Sequence, residues 1–125
     1  MSRGAEFKAL VAQHGSPLLL LDCDVVRRQY KALQAALPGV GLFYALKPLP
    51  HPAVVAELRD LGGCFDVATS GEIRLVRAAS VAPERCIHTH PIKTDAEIRA
   101  ALRFGIRTFV VDNPDELRKF RQHRT

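Results

Sequence analysis

The chain of 125 residues has room for one domain and a modest core, and its 25 % charged and 47 % apolar residues exclude a disordered or fibrous protein. The formal net charge of +5 admits a nucleic-acid partner, but only Arg118, Lys119, Arg121 and Arg124 cluster, at a predicted helix end where cations suit the dipole, so no nucleic acid is expected. No apolar run approaches a membrane span, no leader-like apolar stretch follows Met1-Ser2-Arg3-Gly4, and Cys23, Cys64 and Cys86, lacking CxxC spacing, suit buried thiols in a reducing cytoplasm better than disulfides or a zinc site.

Residues 5–15 read as a short helix or a disordered lead-in that ends near Gly15. Residues 17–21 are an apolar run that predicts a strand. Asp22 or Asp24 then offers an N-cap carboxylate. Val26, Tyr30, Leu33 and Leu37 follow at helical spacing, and Pro38-Gly39 stops that helix. Residues 42–47 form an unbroken apolar run ending in Lys47, closed by Pro48, Pro50 and His51. This predicts a buried strand with an amine at its carboxyl end.

From there the pattern repeats. Val54, Val55, Leu58 and Leu61 share a helical face that Gly62-Gly63 terminates, and residues 64–68 are a second strand. Thr69 and Glu72 predict a capping box, with Ile73, Val76 and Ala79 continuing the helix. Cys86, Ile87 and His88 make a third strand after Ala82-Pro83. Thr94 and Glu97 predict another capping box, Ile98, Ala101 and Leu102 a buried stripe, and Gly105 the residue past the helix end. Residues 108–111 are a fourth strand, and Asn113, Pro114 and Glu116 open the last helix.

Strand and helix thus alternate with a period of about 20–25 residues, as parallel strands with helical crossovers require. The strands are continuous apolar runs, the pattern of sheets covered on both faces. No G-x-G-x-x-G follows any strand, which weakens a dinucleotide-binding reading. The fold predicted is α/β, with about four βα units of a partial (β/α)8 TIM-type barrel. Residues 1–125 are read as the N-terminal portion of such a domain, about half of a barrel.

In a barrel the carboxyl ends of the strands carry the chemistry. Those ends hold Lys47, Asp66, His88 or His90, and Asp112. Lys47 is either an amine that snorkels to water or one desolvated enough to attack a carbonyl and form a Schiff base. Asp66, one strand along, could pair with that lysine or with a cationic imine. Alternatively it is a turn former, but Thr69 already fills the cap position, which favours the site role. His88 and His90 could share a face and bind a metal, but no third ligand is apparent, so no metal site is expected. His90 is better placed to stack on a flat ligand. Lys93 and Asp112 are expected to be structural, and His14, His51 and His123 exposed.

The segment Phe43-Tyr44-Ala45-Leu46-Lys47, followed by His51-Pro52-Ala53-Val54-Val55 and Leu58, resembles the pyridoxal-phosphate lysine segment of the ornithine, diaminopimelate and arginine decarboxylases. These are fold-type III enzymes with an alanine racemase-like barrel. Phe65-Asp66-Val67-Ala68-Thr69-Ser70-Gly71-Glu72-Ile73 resembles the family's next block. His90-Pro91-Ile92-Lys93, Ile98, Ala101, Gly105, Val111-Asp112 and Glu116-Leu117 resemble the later ones. Pro91-Ile92-Lys93 leans toward ornithine or lysine decarboxylases, since the diaminopimelate enzymes usually carry Asn-Asn-Lys there. The likeness spans roughly residues 17–120 and keeps block order and spacing.

The resemblance implies that Lys47 is the Schiff-base lysine for pyridoxal 5′-phosphate and that Asp66 lies close to the imine and the substrate. It implies decarboxylation of ornithine or lysine to a diamine, by a cytoplasmic homodimer whose sites are completed across the interface. The chain departs from the family at Pro48 and Leu49, where a small residue and often Asn stand, and at His90, where Asn is common. The family's phosphate cradle, its pyridine-nitrogen acid, its Cys-Asp pair and its β-domain are not found in this sequence, so the chain alone is expected to be inactive. A strand like residues 18–21 joins that β-domain in the family, so here it should lack partners. Rival readings are a diaminopimelate decarboxylase, an amino-acid racemase of the same fold type, a non-enzymatic pyridoxal-phosphate-binding barrel and a ligand-free half-barrel.

Overall fold

The computed structural model describes residues 3–123. Two helices, α1 (Arg3–His14) and α2 (Cys23–Ala36), precede four strand–helix units. These are β1 (Phe43–Ala45) with α3 (Pro52–Asp60), β2 (Cys64–Asp66) with α4 (Ser70–Ala78), β3 (Cys86–His88) with α5 (Asp95–Phe104), and β4 (Thr108–Phe109) with α6 (Pro114–Arg121). The strands form one parallel sheet in the order β1-β2-β3-β4. Ala45 lies opposite Asp66, Asp66 opposite Ile87, and His88 opposite Phe109.

Local chemistry sets the helix starts. Asp22, not Asp24, caps α2 by accepting from the Val25 N–H at 3.2 Å. Thr94 and Glu97 form the complete reciprocal box expected for α5. At α4 the box is altered. Thr69 Oγ1 accepts from the Glu72 N–H, but the Glu72 carboxylate takes the Ala68 N–H at 2.7 Å, one residue further back. At α6 the Asn113 side chain caps, while Glu116 turns away to a neighbouring loop.

Alternation along the strands sorts their side chains into two faces. Leu46, Phe65, Val67 and Cys86 join Val54, Val55, Leu58, Ile73, Val76 and Ala101 of the helices in one core. Residues of the other parity face away: Phe43, Ala45 and Thr108 are exposed, and Cys64, Asp66 and Ile87 half-buried. The sheet is therefore packed on one face only, against the two-sided burial that its apolar runs predict. Burial pushes the Cys86 thiol up to about 12, and all three cysteines are free.

Two expectations need correction. Residues 17–21 form no strand, and Leu19 is 91 % exposed. Apolar composition alone cannot hold an extended segment without a neighbour to bond it, and the described residues supply none. The strands are also shorter than their apolar runs. β1 ends at Ala45, so Lys47 sits in the turn beyond it, where the Leu49 N–H donates to the Leu46 carbonyl at 3.1 Å.

Gly105 ends α5 with φ of +110°, and a Cβ there would meet Pro83 Cγ at 2.9 Å. Gly105→Ala combines a disfavoured backbone with a clash, so thermal denaturation should show a loss of about 2 kcal/mol or more.

Candidate functional site at the carboxyl ends of the strands

The chain leaves β1 through a tight exit. Leu46 is fully buried and its N–H donates to the Asp66 carbonyl at 3.1 Å, fastening the exit to β2. The Tyr44 hydroxyl donates to the Leu49 carbonyl, and His51 caps α3 through Nδ1, which accepts from the Ala53 N–H at 3.2 Å. Between these anchors Lys47 is exposed. Its amine has no hydrogen-bond or ion-pair partner among the described residues. Lys47 lies two residues past Ala45, the last residue of β1, at the carboxyl end of the sheet.

Asp66 ends β2 in register with Ala45. It does not cap α4, since Thr69 and Glu72 do so. The expected partnership with Lys47 is not made either. The Asp66 carboxylate accepts from the Thr89 N–H at Oδ1 (3.1 Å) and from the Thr89 hydroxyl at Oδ2 (2.6 Å). Thr89 lies two residues past Ile87, the β3 neighbour of Asp66, which puts both on one face. Sequence reading missed Thr89, since the step runs from Ile87, whose pairing with Asp66 only the register reveals.

The histidines diverge. His88 is fully buried on the helix side, with its ring 5.8 Å from that of Phe109. His90 is exposed, and its Nδ1–H donates to the Ile92 carbonyl at 2.6 Å. His88 therefore does not reach the active face, contrary to its reading as a strand-end site residue. The cause is parity: His88 shares the face of Cys86, and Thr89 takes the other. No group of three His, Cys, Asp or Glu residues able to hold a metal occurs among the described residues.

Neither ring nitrogen of His88 has a hydrogen-bond partner among the described residues. Burial, then the nearby Lys93 charge, lowers its pKa from the usual histidine value. The unfolded chain therefore takes up this proton at higher pH than the folded one. Stability should be full above the unfolded value of about 6.5 and fall as pH drops toward the folded one. His88→Phe should remove that acid-side slope in urea titrations and add about 1 kcal/mol at neutral pH, since two unmet polar atoms disappear.

Lys93, expected to be a structural loop group, is 1 % exposed. Its ammonium donates to the carbonyls of His90 (2.6 Å), Pro91 (3.1 Å) and Val110 (2.6 Å) and lies over the Phe120 ring. Burial lowers its pKa, while the carboxylates of Glu116 and Asp112 pull it back up. Glu116 Oε2 accepts from the Lys93 N–H, and Lys119 reaches both the Lys93 carbonyl and Glu116. The loop beyond β3, the end of β4 and α6 are thereby tied together. Asp112 is exposed and accepts from the Asn113 side chain.

Residues 23–125 match the family model of the pyridoxal-dependent decarboxylases, pyridoxal binding domain. The chain belongs to this family. It is 33 % identical over 114 residues to the lysine/ornithine decarboxylase of Selenomonas ruminantium, a match covering 91 % of this chain and 29 % of that protein. The crystal structure of lysine/ornithine decarboxylase from Vibrio vulnificus complexed with putrescine superimposes with a TM-score of 0.93 at 56 % identity, over 99 % of this chain and 35 % of that one. A crystal structure of SrLDC with PLP and cadaverine gives a TM-score of 0.90 at 32 % identity, over 98 % and 32 % of the respective chains. The chain thus spans about a third of these relatives. Its open parallel sheet is part of the TIM-type barrel of the family's pyridoxal-binding domain, as the repeat of βα units implies.

Proposed function

We propose that residues 1–125 form the N-terminal part of the barrel of a pyridoxal-phosphate-dependent decarboxylase. Its substrate is a basic amino acid, lysine or ornithine, which loses carbon dioxide to give the diamine. The observation that carries the reading is the exposed, unpartnered amine of Lys47 at the β1 exit, at the same end of the sheet as the Asp66 carboxylate held by Thr89. These residues fit the cofactor: an aldehyde needs a free amine, and an ion-paired lysine would have to be released first. When bound, pyridoxal phosphate supplies that aldehyde and a ring that accepts the electron pair left by departing carbon dioxide. Lys47 holds the cofactor, and Asp66 presents negative charge beside the linkage.

Lysine and ornithine are favoured over diaminopimelate by Pro91-Ile92-Lys93 and by the 56 % identity to the Vibrio enzyme, against 33 % to the diaminopimelate decarboxylase of Actinosynnema pretiosum. The active species on this reading is a cytoplasmic homodimer, and the 125-residue chain by itself turns over weakly or not at all. Free cysteines agree with a reducing compartment.

The test is reductive trapping. The intact protein carrying this sequence is incubated with pyridoxal phosphate, reduced with borohydride and digested. The cofactor's mass should appear on the peptide containing Lys47. Modification of another lysine alone, or of none, would sink the assignment. Product analysis with lysine, ornithine and diaminopimelate then identifies the substrate.

A further inference from the structure

We propose that Thr89 is a positioning residue that sets the orientation of the Asp66 carboxylate toward Lys47 and its cofactor. This rests on the reading of Asp66 as a site residue. A carboxylate on a single tether can turn about its terminal torsion, which has broad minima. Asp66 has two tethers, and both come from one residue: the Thr89 N–H holds Oδ1 and the Thr89 hydroxyl holds Oδ2. The hydroxyl contact of 2.6 Å lies in the range of charge-assisted bonds. Two of the carboxylate's roughly four lone-pair directions are taken, so the free ones have a defined heading.

The tether is itself rigid. Thr89 is β-branched, which restricts its χ1. Its peptide precedes a loop whose carbonyls at His90 and Pro91 are held by the buried Lys93 ammonium, which also grips Val110 beyond β4. Glu116 and Lys119 of α6 close that arrangement from the other side. A line of contacts therefore runs from α6 through the loop and Thr89 to Asp66.

A fixed carboxylate matters because Asp66 ends β2 opposite Ala45, and Lys47 follows two residues later in the turn at the same end of the sheet. Were Asp66 free to turn, it could follow the lysine ammonium and hold it as an ion pair. It would also stabilise a cationic lysine–cofactor linkage less reproducibly. With Thr89 holding it, the negative charge stays at one place and the amine stays available.

The experiment compares Thr89→Val, Thr89→Ser and Asp66→Asn in the intact protein. Thr89→Val keeps shape and the N–H but loses the hydroxyl, so kcat should fall about tenfold with little change in KM. The pH at which the bound cofactor's visible absorbance band is lost should move down, in the direction seen with Asp66→Asn and by less. Thr89→Ser keeps the hydroxyl and should restore both readouts, and melting temperatures should stay near that of the parent. Unchanged kcat and band profile in Thr89→Val, with Asp66→Asn altering both, overturns the role of Thr89 alone. Equal impairment of the Val and Ser variants also overturns it, since packing would then be responsible. An Asp66→Asn variant that behaves like the parent overturns the reading of Asp66 on which the proposal rests.

Discussion

Lys47→Ala will leave the intact protein with decarboxylase turnover lower by on the order of a thousandfold or more, and with no cofactor trapped by borohydride. The size of the effect follows from the lack of a substitute. The sequence holds five lysines: Lys8, Lys31, Lys47, Lys93 and Lys119. Lys8 and Lys31 lie on α1 and α2, which precede the four strand–helix units. The ammonium of Lys93 is committed to three carbonyls, and that of Lys119 to the Lys93 carbonyl and Glu116. Only Lys47 presents an unpartnered amine at the end of a strand. Lys47→Arg separates charge from nucleophilicity, because a guanidinium stays protonated and does not condense with an aldehyde. It should lose as much activity as the alanine variant. Since Lys47 is exposed, both variants should keep the parent's stability to within about 0.5 kcal/mol. Turnover, trapped cofactor and urea midpoints measured together separate a lost nucleophile from a lost fold. Appreciable turnover by Lys47→Ala would falsify the assignment.

How far the sequence could be read depended on the range of the interaction. Thr94 with Glu97, Asn113, and Gly105 are local devices, and each stands where spacing predicts it. The βα repeat was legible because helical stripes and apolar runs repeat within short windows. Asp66 was legible as a strand end for the same reason, while Lys47 proved to lie in the turn two residues past the end of β1. What the sequence concealed was parity and partnership. His88 and Thr89 are adjacent and both end an apolar run, yet one is sealed against Phe109 and the other holds Asp66. Which of them faces the site depends on the register between β2 and β3, which pairs Asp66 with Ile87 and which no local pattern encodes. The same holds for Glu116. Its position three residues after Asn113 predicts a cap, but a buried N–H on a distant loop outbids the local one. Residues 17–21 err the other way, since apolar composition there stands without any strand neighbour among the described residues.

Lys93→Met should destabilise the intact protein by about 3 kcal/mol or more, a large share of the 5–15 kcal/mol typical of a folded domain. Methionine nearly matches the lysine stem in length and is at home in a core, so packing is largely kept. What disappears is the ammonium, and with it the donor for the His90, Pro91 and Val110 carbonyls. Each buried acceptor left unmet costs about 1–3 kcal/mol unless water replaces the donor. Glu116 and Lys119 stay in place but lose the charge at the centre of their arrangement. Urea denaturation measures the loss directly. The loop from residues 89 to 94 should also open more readily, which hydrogen exchange at the Lys93 and Thr94 amides would register as lost protection. Because Thr89 begins that loop and holds Asp66, the damage should reach the site: kcat should fall in Lys93→Met even where the protein is fully folded. A variant with parent-like stability would show that the three carbonyl contacts carry little net energy. One that is unstable yet fully active while folded would show that the loop's rigidity does not govern the position of Asp66.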